Sequence, residues 1–184
     1  MKIETQCLHE GYTPKNGEPR VMPIVQSTTY VYESTDEVAA VFDDPTKSLI
    51  YSRFENPTTD CVEKKIAALE GGVAAMCTSS GQAASLISIL NICEAGDSFI
   101  ASASIYGGTI NLFGTTLKKM GIECIFVDHD ATEEQLSAAF KENTKAVFGE
   151  TLANPALTVL DIEMWAKVAH AHGVPLIILS LIHI

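Results

Sequence analysis

The sequence predicts an α/β protein with a mostly parallel sheet, and two observations support this fold class. Several short apolar runs lack the polar alternation of strands that face water on one side, so both faces of each strand are expected to be buried. Stretches with the period of an amphipathic helix separate these runs, which is typical of parallel strands joined by crossover helices. With 184 residues, the chain is long enough for one domain with a sizeable core.

The first part of the chain is predicted to be irregular. Prolines and glycines interrupt any period over residues 1–33, so this stretch is expected to form an extended arm. Ser34 or Thr35 can cap a short helix over residues 37–42, and Pro45 is expected to close it. An arm of this kind has little apolar surface to bury against itself, so we expect it to pack on another domain or subunit.

The pattern becomes regular from residue 57. Pro57 is placed to open a helix whose apolar residues fall on one face, and Gly71 and Gly72 are expected to end it. Further helices are predicted over residues 82–93, up to Gly121, over residues 132–142 with Thr132 as cap, and from Asp161 to Gly173. Buried strands are predicted at residues 73–77, 99–101, 122–127, 146–148 and 175–179.

Composition and charge exclude several classes of protein. Hydrophobic residues make up 47% and charged residues 19%, which is the composition of a packed domain and excludes a disordered chain. The net charge of −11 disfavours binding to nucleic acid or to an anionic membrane surface, and only two arginines, Arg20 and Arg53, are present. Neither a signal peptide nor a membrane-spanning stretch is evident.

The cysteines predict reduced thiols and no metal site. There are five of them, an odd number, and none forms a C-x-x-C pair. This usage is typical of a cytoplasmic protein.

The segment from Ser79 to Ala84 is the first with chemical meaning. It follows a predicted strand and opens a helix. Ser80 and Gly81 have small side chains, and together with Gln82 they would place free backbone N–H groups at the helix N-terminus. Such a place suits a phosphate. The alternative is an ordinary strand-to-helix turn of small residues, which the pattern taken alone favours.

Arginine and aromatic residues give two further candidates. Tyr51 and Arg53 precede a predicted helix, where a guanidinium beside a phenol can bind an anion, although a solvent-exposed loop arginine is the more common reading. Tyr106 stands before Gly107 and Gly108 at a strand-to-helix junction, which leaves space for a planar ligand to stack on the ring. A tyrosine that merely covers the end of the sheet is equally compatible with that pattern.

The fourth candidate segment begins at Glu150 and includes Asn154. It lies just past a predicted strand, at the carboxyl edge where open α/β sheets bind ligands. A carboxylate and an amide at that edge could orient a substrate or cofactor. The alternative is turn chemistry, which Asn-Pro favours.

Taken in order, Y-S-R-x-x-N-P-T, S-S-G-Q-A, Y-G-G-T and E-T-x-x-N-P resemble the Cys/Met-metabolism family of pyridoxal-phosphate (PLP) enzymes, over residues 1 to about 178. The resemblance implies the PLP-dependent transferase fold type I (aspartate-aminotransferase-like), here as an incomplete large domain after an N-terminal arm. It divides the chain into a dimer-contacting arm with a short helix, residues 1–48, and the truncated PLP-binding domain, residues 49–184. His9–Arg20 and Phe148–Leu157 look most similar to the O-acetylhomoserine sulfhydrylase branch.

The resemblance implies a role for each matching residue. Tyr51 and Arg53 match the pair that reaches the cofactor phosphate of a neighbouring subunit, and Tyr51 also matches a substrate contact. Ser80, Gly81 and Gln82 match the phosphate grip within the same subunit. Tyr106 matches the ring stacked on the cofactor and an auxiliary catalytic group. Asn154 matches a residue near the cofactor and the substrate carboxylate, and Glu150 matches a polar position beside it.

The function implied is γ-replacement on O-acetylhomoserine, in which sulfide or methanethiol gives homocysteine or methionine plus acetate. The alternatives are cystathionine γ-synthase or γ-lyase and methionine γ-lyase. The implied partners are an amino-acid substrate, a sulfur donor and further copies of the chain in a homodimer or homotetramer with shared active sites. The implied location is the cytoplasm.

The resemblance ends near residue 179. The family continues with V-D-N-T, whereas this chain reads Leu179-Ser180-Leu181. We therefore expect neither the aspartate that pairs with the cofactor ring nitrogen nor the later Schiff-base lysine, and hence a truncated or frame-shifted chain with no catalytic lysine of its own. A non-catalytic fragment that completes a partner's site is the alternative of another class.

Overall fold

A computed structural model describes residues 1–44 and 48–181 of the chain. It forms two compact units, Met1–Cys77 and Thr78–Ile184. The predicted division at residue 48 separates an arm from a cofactor domain by role, and it stays a prediction. None of the helices in the described ranges has the length and apolar content needed to cross a membrane.

The described residues of the first unit form three helices, which are α1 (Ile3–His9), α2 (Thr35–Asp43) and α3 (Pro57–Glu70). The capped short helix is confirmed, because the Ser34 Oγ accepts a hydrogen bond from the Glu37 N–H at 3.2 Å. Pro45, which was expected to close this helix, lies outside the described residues. The expectation that residues 1–33 are irregular is wrong at α1. That helix has no side-chain cap and buries none of its residues. A capping residue and a buried apolar face are the features by which the sequence could have indicated it, and both are missing.

Helix α3 begins and ends as predicted. The Asn56 side chain accepts a hydrogen bond from the Thr58 N–H at 2.9 Å, and Pro57 occupies the first turn. Gly71 closes the helix in the left-handed conformation, with φ of 65°. Two apolar residues of this helix, Val62 and Ile66, nevertheless remain about half exposed.

The strand predicted at residues 73–77 is wrong. This stretch lies outside the strands of the described sheet, and Val73 and Met76 are exposed. A strand needs a neighbour to satisfy its backbone N–H and C=O groups. Here the Cys77 N–H instead donates to the Glu63 carboxylate at 2.7 Å. The apolar run at residues 73–77 predicted a buried strand. Without a neighbouring strand, this stretch forms no β-ladder.

The second unit contains a four-stranded sheet in the order β2-β1-β3-β4. Every pairing between these strands is parallel, which confirms the predicted α/β class with a mostly parallel sheet. The strands are β1 (Ser98–Ser102), β2 (Glu123–Val127), β3 (Thr144–Glu150) and β4 (Leu176–Leu179). The helices are α4 (Gly81–Leu90), α5 (Gly107–Asn111), a π-helix (Leu112–Leu117), α6 (Glu133–Ala138) and α7 (Ile162–Ala171).

Apolar side chains fill both faces of this sheet, so the strands carry the continuous apolar runs seen in the sequence. On one face, Phe99 and Phe148 pack with Phe113 of the π-helix, whose ring centroid lies 4.9 Å from each of theirs. On the other face, Ile100 and Val147 belong to the cluster built around Trp165, which also includes residues of α6 and α7. The core is therefore a sheet covered by helices on both sides.

Helix caps in the second unit agree with the sequence. Thr132 forms a capping box with Gln135 at the start of α6, and the Asp161 side chain accepts a hydrogen bond from the Met164 N–H at 3.0 Å. Both α4 and α6 end a few residues earlier than predicted. The π-helix had no recognisable signal in the sequence.

Candidate active site

The strand order creates a crevice at one edge of the sheet. The chain passes from β1 to β2 on one side and returns to β3 on the other side of β1. Connections therefore leave the carboxyl ends of β1 and β3 in opposite directions, which is where open α/β sheets bind ligands. Tyr106 follows β1, and Glu150 is the last residue of β3.

A cavity of about 510 Å³ opens at this point. It unites residues from three of the four candidate segments with apolar residues from the neighbouring loops. Its lining consists of Gly81, Gln82, Ser85, Tyr106, Thr109, Glu150, Leu152, Ala153, Asn154, Leu157, Leu179 and Leu181. Among these described residues Glu150 is the only one that carries a charge, and none is a lysine.

The N-terminus of α4 faces this cavity through Gly81 and Gln82. Ser80 is the N-cap, and its Oγ accepts a hydrogen bond from the Ala83 N–H at 3.1 Å. The N–H groups of Gly81 and Gln82 have no acceptor within the helix, because the first turn lacks preceding carbonyls. A Cβ placed on Gly81 would meet nothing within 4 Å, so open space lies beside this backbone. The site can receive an anion at the positive end of the helix.

Tyr106 is 47% exposed and lines the same cavity. It lies over Gly108, where an added Cβ would come within 2.5 Å of the Tyr106 Cε1 atom. The absence of a side chain at Gly108 therefore allows this ring position. An exposed aromatic face of this kind suits a planar ligand.

Glu150 is 6% exposed and points its carboxylate at the backbone that carries this ring. Its Oε2 accepts a hydrogen bond from the Tyr106 N–H at 2.8 Å. Asn154 lies on the loop that follows β3 and also lines the cavity. Sequence reasoning thus placed both residues at the correct edge.

Several lining residues were not identified in the sequence. Thr109 is fully buried and accepts a hydrogen bond at 2.9 Å from the Gln82 side chain, which links two of the candidate segments. Ser85 lies four residues after Gly81, so helical periodicity could have indicated it. Leu157 has a φ of 57°, which is rare for a branched residue and has no signal in the sequence.

Tyr51 and Arg53 belong to the first unit. The guanidinium carbon of Arg53 lies 5.0 Å from the centre of the Tyr51 ring and 5.4 Å from that of Phe54. These distances are within the range of cation–π attraction. Arg53 is exposed and forms no ion pair with any described residue. Its charge is therefore free to meet an anionic ligand.

The Cys/Met metabolism PLP-dependent enzyme family matches residues 4–180. This chain belongs to that family. Its match extends through all four candidate segments and ends near the point at which the chain departs from the family pattern, as the sequence predicts.

Individual relatives agree with this assignment. An O-acetyl-L-homoserine sulfhydrylase from Leptospira meyeri is 47% identical over 179 residues, which cover 97% of this chain and 40% of the relative. The solved structure of a Campylobacter jejuni O-acetylhomoserine (thiol)-lyase, with N′-pyridoxyl-lysine-5′-monophosphate, has a TM-score of 0.89 and 36% identity over 97% of this chain and 44% of that chain. A Lactobacillus plantarum cystathionine γ-lyase complexed with L-serine has a TM-score of 0.83 and 34% identity, with the same coverage.

These likenesses confirm the predicted fold type I. The chain spans about 40% of the length of the curated relative from Leptospira meyeri. The family uses pyridoxal phosphate, which confirms the predicted cofactor class.

The residues of the cavity fit this cofactor. A phosphate matches the uncapped N–H groups and open space at Gly81 and Gln82, and the aromatic ring matches the exposed face of Tyr106. Leu152, Leu157 and Leu179 supply an apolar lining for the rest of a flat, mostly apolar ring. The cavity residues therefore fit the non-covalent contacts of the cofactor. They do not supply a covalent one, since no lysine is among the described lining residues.

Proposed function

We propose that this chain supplies the N-terminal part of a cytoplasmic enzyme of methionine biosynthesis and trans-sulfuration. The enzyme replaces the acetoxy group at Cγ of O-acetylhomoserine with the sulfur of sulfide or methanethiol. The products are homocysteine or methionine, respectively, and acetate. The observation that carries the proposal is the single cavity at the carboxyl edge of the sheet, where three of the four family segments meet. The names of the most similar relatives support this substrate over others.

Each residue of the cavity has a proposed part in binding. The N–H groups of Gly81 and Gln82 hold the cofactor phosphate, and the Ser80 hydroxyl completes the helix start around it. Tyr106, which lines the cavity, stacks on the cofactor ring and serves as an auxiliary catalytic group. Asn154 orients the cofactor ring and the carboxylate of the amino acid, and Glu150 supports the substrate-binding edge of the cavity beside it. When bound, pyridoxal phosphate supplies the electron sink that makes proton removal beside the amino group feasible.

Tyr51 and Arg53 have a proposed role across a subunit interface. The Arg53 guanidinium is exposed and unpaired within the described chain, so it can bind a phosphate bidentately in another copy. The Tyr51 ring supports it and contacts the substrate. This proposal makes the enzyme a homodimer or homotetramer with shared sites.

The test uses a full-length protein that carries this segment. We expect it to form homocysteine and acetate from O-acetylhomoserine plus sulfide faster than it consumes methionine or cystathionine. Faster breakdown of methionine or cystathionine would instead support the γ-lyase alternatives, for which the cystathionine γ-lyase structure is a precedent.

The two arginines of the chain provide a matched pair of variants for the phosphate contact. In the full-length protein, Arg53→Gln is expected to weaken PLP binding by about 10- to 100-fold, since it removes a charge-assisted bidentate contact. Arg20→Gln removes the same charge elsewhere in the first unit and is expected to leave PLP affinity unchanged. Equal effects of the two changes would mean that only net charge matters.

A second candidate function is a non-catalytic subunit that completes the site of a full-length partner. Arg53 favours it, because this residue is exposed and has no ion-pair partner among the described residues, so it remains available in the chain alone. The chain is then expected to restore activity when it is mixed with a full-length Arg53→Gln enzyme, whereas a chain carrying Arg53→Gln itself is not. No restoration by the unmodified chain would exclude this function.

The chain alone is expected to bind PLP without a specific covalent bond, since none of the described cavity residues is a lysine. After sodium borohydride reduction, peptide mapping should show scattered, substoichiometric labelling of surface lysines. Stoichiometric labelling of a single lysine would contradict this expectation.

A further inference from the structure

Glu150 is a buried carboxylate without a cationic partner among the described residues. It is 6% exposed, and the ion pairs of the described chain involve other acidic residues. Burial of a charged group costs stability unless hydrogen bonds compensate for the lost water. The contact that compensates here is the Tyr106 N–H, at 2.8 Å. From the end of β3, the Glu150 carboxylate therefore binds one backbone N–H group of a neighbouring segment.

That backbone group belongs to the residue whose aromatic ring lines the cavity. Tyr106 is the N-cap of α5, and its own side chain makes no capping hydrogen bond. The ring instead leans over Gly108 toward the cavity. Because the Tyr106 side chain makes no capping hydrogen bond, a shift of the Tyr106 backbone would also shift the ring. Fixing the N–H therefore fixes the backbone position from which the ring extends.

The same helical turn is held at its other end. The Gln82 side chain donates to the Thr109 hydroxyl at 2.9 Å, so residues 106–109 are attached both to α4 and to β3. These two hydrogen bonds come from different elements, and both lie beside the cavity. The turn that carries the ring is therefore built as a fixed platform.

We propose that Glu150 is a positioning residue, which acts through the Tyr106 backbone to set the angle at which the Tyr106 ring meets a planar pyridine ligand. This inference rests on the proposed function for the identity of the ligand. The hydrogen bond itself is independent of the ligand and can be tested without it. The hydrogen bond and the identity of the ligand can therefore be refuted separately.

The first experiment measures amide hydrogen exchange at Tyr106 by NMR in the ligand-free chain. Glu150→Met and Glu150→Gln are matched in size, but only the glutamine offers an oxygen acceptor. Exchange at Tyr106 is expected to become about 10- to 100-fold faster in E150M, as loss of a hydrogen bond to a charged acceptor allows, and to stay within a few-fold of the original rate in E150Q. Glu123→Gln, on the exposed edge strand, serves as control and should change nothing at Tyr106.

The second experiment measures binding of pyridoxine 5′-phosphate, which lacks the aldehyde and cannot react with lysines. E150M is expected to weaken binding about 5- to 10-fold in the chain with Tyr106, and to have no further effect in a Tyr106→Ala background. E150Q should restore most of the affinity. An equal loss in both backgrounds would overturn the positioning role, because Glu150 would then act on the ligand without the ring.

Unchanged Tyr106 exchange in E150M would overturn the inference at its first step. Failure of the unmodified chain to bind pyridoxine 5′-phosphate would refute the cofactor-binding part of the proposed function and the ligand half of this inference. The exchange rates would still decide whether Glu150 holds the Tyr106 backbone.

Discussion

The two units of the chain differ in where their apolar side chains lie. In the second unit, aromatic and aliphatic residues fill both faces of a parallel sheet. In the first unit, Val41 is the buried apolar residue among those described, whereas many large apolar side chains are exposed. These exposed residues are Met1, Ile3, Leu8, Val21, Ile24, Val31, Phe42, Phe54, Val62, Ile66, Val73 and Met76.

The difference shows that the two units are stabilised by different interactions. A buried core supplies most of the favourable free energy of folding, so the second unit contains its own source of stability. The first unit relies on helix caps and loop hydrogen bonds, such as the Asn56 side chain to the Val25 carbonyl at 3.1 Å. Such bonds contribute only about 1 kcal/mol each. Its exposed apolar surface is therefore available to another surface, in agreement with the proposed shared site.

A pair of phenylalanine truncations tests this comparison with the largest expected effect. Phe113 is fully buried between Phe99 and Phe148, whereas Phe54 in the first unit is 70% exposed. Phe113→Ala is expected to lower the free energy of unfolding of the second unit by about 3–5 kcal/mol, because it removes buried surface and leaves a cavity. Phe54→Ala is expected to cost less than about 0.5 kcal/mol. Urea unfolding followed by far-UV circular dichroism measures both, and Trp165 fluorescence reports on the second unit alone.

Phe113→Leu is the milder variant if the alanine variant does not fold, and a loss of about 1–2 kcal/mol is expected from it. Similar losses for Phe54→Ala and Phe113→Ala would contradict the comparison, since they would place a comparable core around Phe54.

The buried thiol of the second unit gives a pH-dependent test. Burial raises the pKa of the Cys93 thiol to about 11, with a further contribution from Asp97. The unfolded thiol releases its proton at a lower pH, so this contribution to stability is complete below about pH 8.5 and is lost as pH rises toward the folded pKa. Between about pH 8.5 and 11 the free energy of unfolding should fall by about 2 kcal/mol more in the original chain than in Cys93→Ala.

The first unit supplies the control for this test. Cys7 is exposed, so Cys7→Ala should leave the pH dependence as it is in the original chain. Burial also raises the pKa of Cys124, and for this reason Cys93→Ala should remove only part of the alkaline loss of stability. An unchanged slope in Cys93→Ala would show that the Cys93 thiol reaches water.

The sequence predicted the second unit far better than the first, and the same physical difference explains why. Strands such as β1 and β3 are buried on both faces, so their apolar runs report directly on the core. Residues 73–77 have a similar apolar run but no neighbouring strand, so the run wrongly predicted a strand there. Helix α1 buries nothing, and patterns of burial could not reveal it.

The candidate site follows the same rule. Gly81, Tyr106 and Asn154 were recognisable because strand ends and glycines mark backbone positions that a ligand can reach. The hydrogen bond from the Tyr106 N–H to Glu150 joins residues 44 positions apart, and local pattern carries no information on such a pairing. Leu157 and its left-handed backbone likewise depend on the tertiary structure of the loop.

Two serine caps sharpen the comparison with a smaller effect. The Ser80 Oγ accepts from the Ala83 N–H at 3.1 Å in the second unit, and the Ser34 Oγ accepts from the Glu37 N–H at 3.2 Å in the first. Each alanine substitution should cost about 1 kcal/mol. Ser80→Ala should lower the stability of the whole second unit, whereas Ser34→Ala should speed hydrogen exchange within α2 alone. Aspartate at either position should restore the cap.

Faster exchange throughout the sheet in Ser34→Ala would contradict the comparison, because it would show that α2 unfolds together with the core. Equal and purely local effects at both serines would break it in the opposite direction, since α4 would then be uncoupled from the cluster that contains Ile89.

The smallest effect is expected from two exposed ion pairs, one in each unit. Asp60 in the first turn of α3 lies 2.6 Å from the Lys64 Nζ, and Glu133 in the first turn of α6 lies 2.6 Å from the Lys167 Nζ. Asp60→Asn and Glu133→Gln each remove one acidic charge from a helix start and one exposed pair. Both should cost about 0.5 kcal/mol or less, because water and salt screen such charges.

Measurement of both variants at low salt and at 1 M salt decides whether the first unit depends on its surface charges. Near-equal, salt-sensitive losses are expected because both pairs are exposed, although the Asp60–Lys64 pair lies within α3 and the Glu133–Lys167 pair joins α6 to α7. A loss for Asp60→Asn several times that for Glu133→Gln, persisting at 1 M salt, would mean that α3 is stabilised mainly by its polar surface. The exposed apolar residues of α3, Val62 and Ile66, would then be less needed for contact with another surface than the comparison of the two units implies.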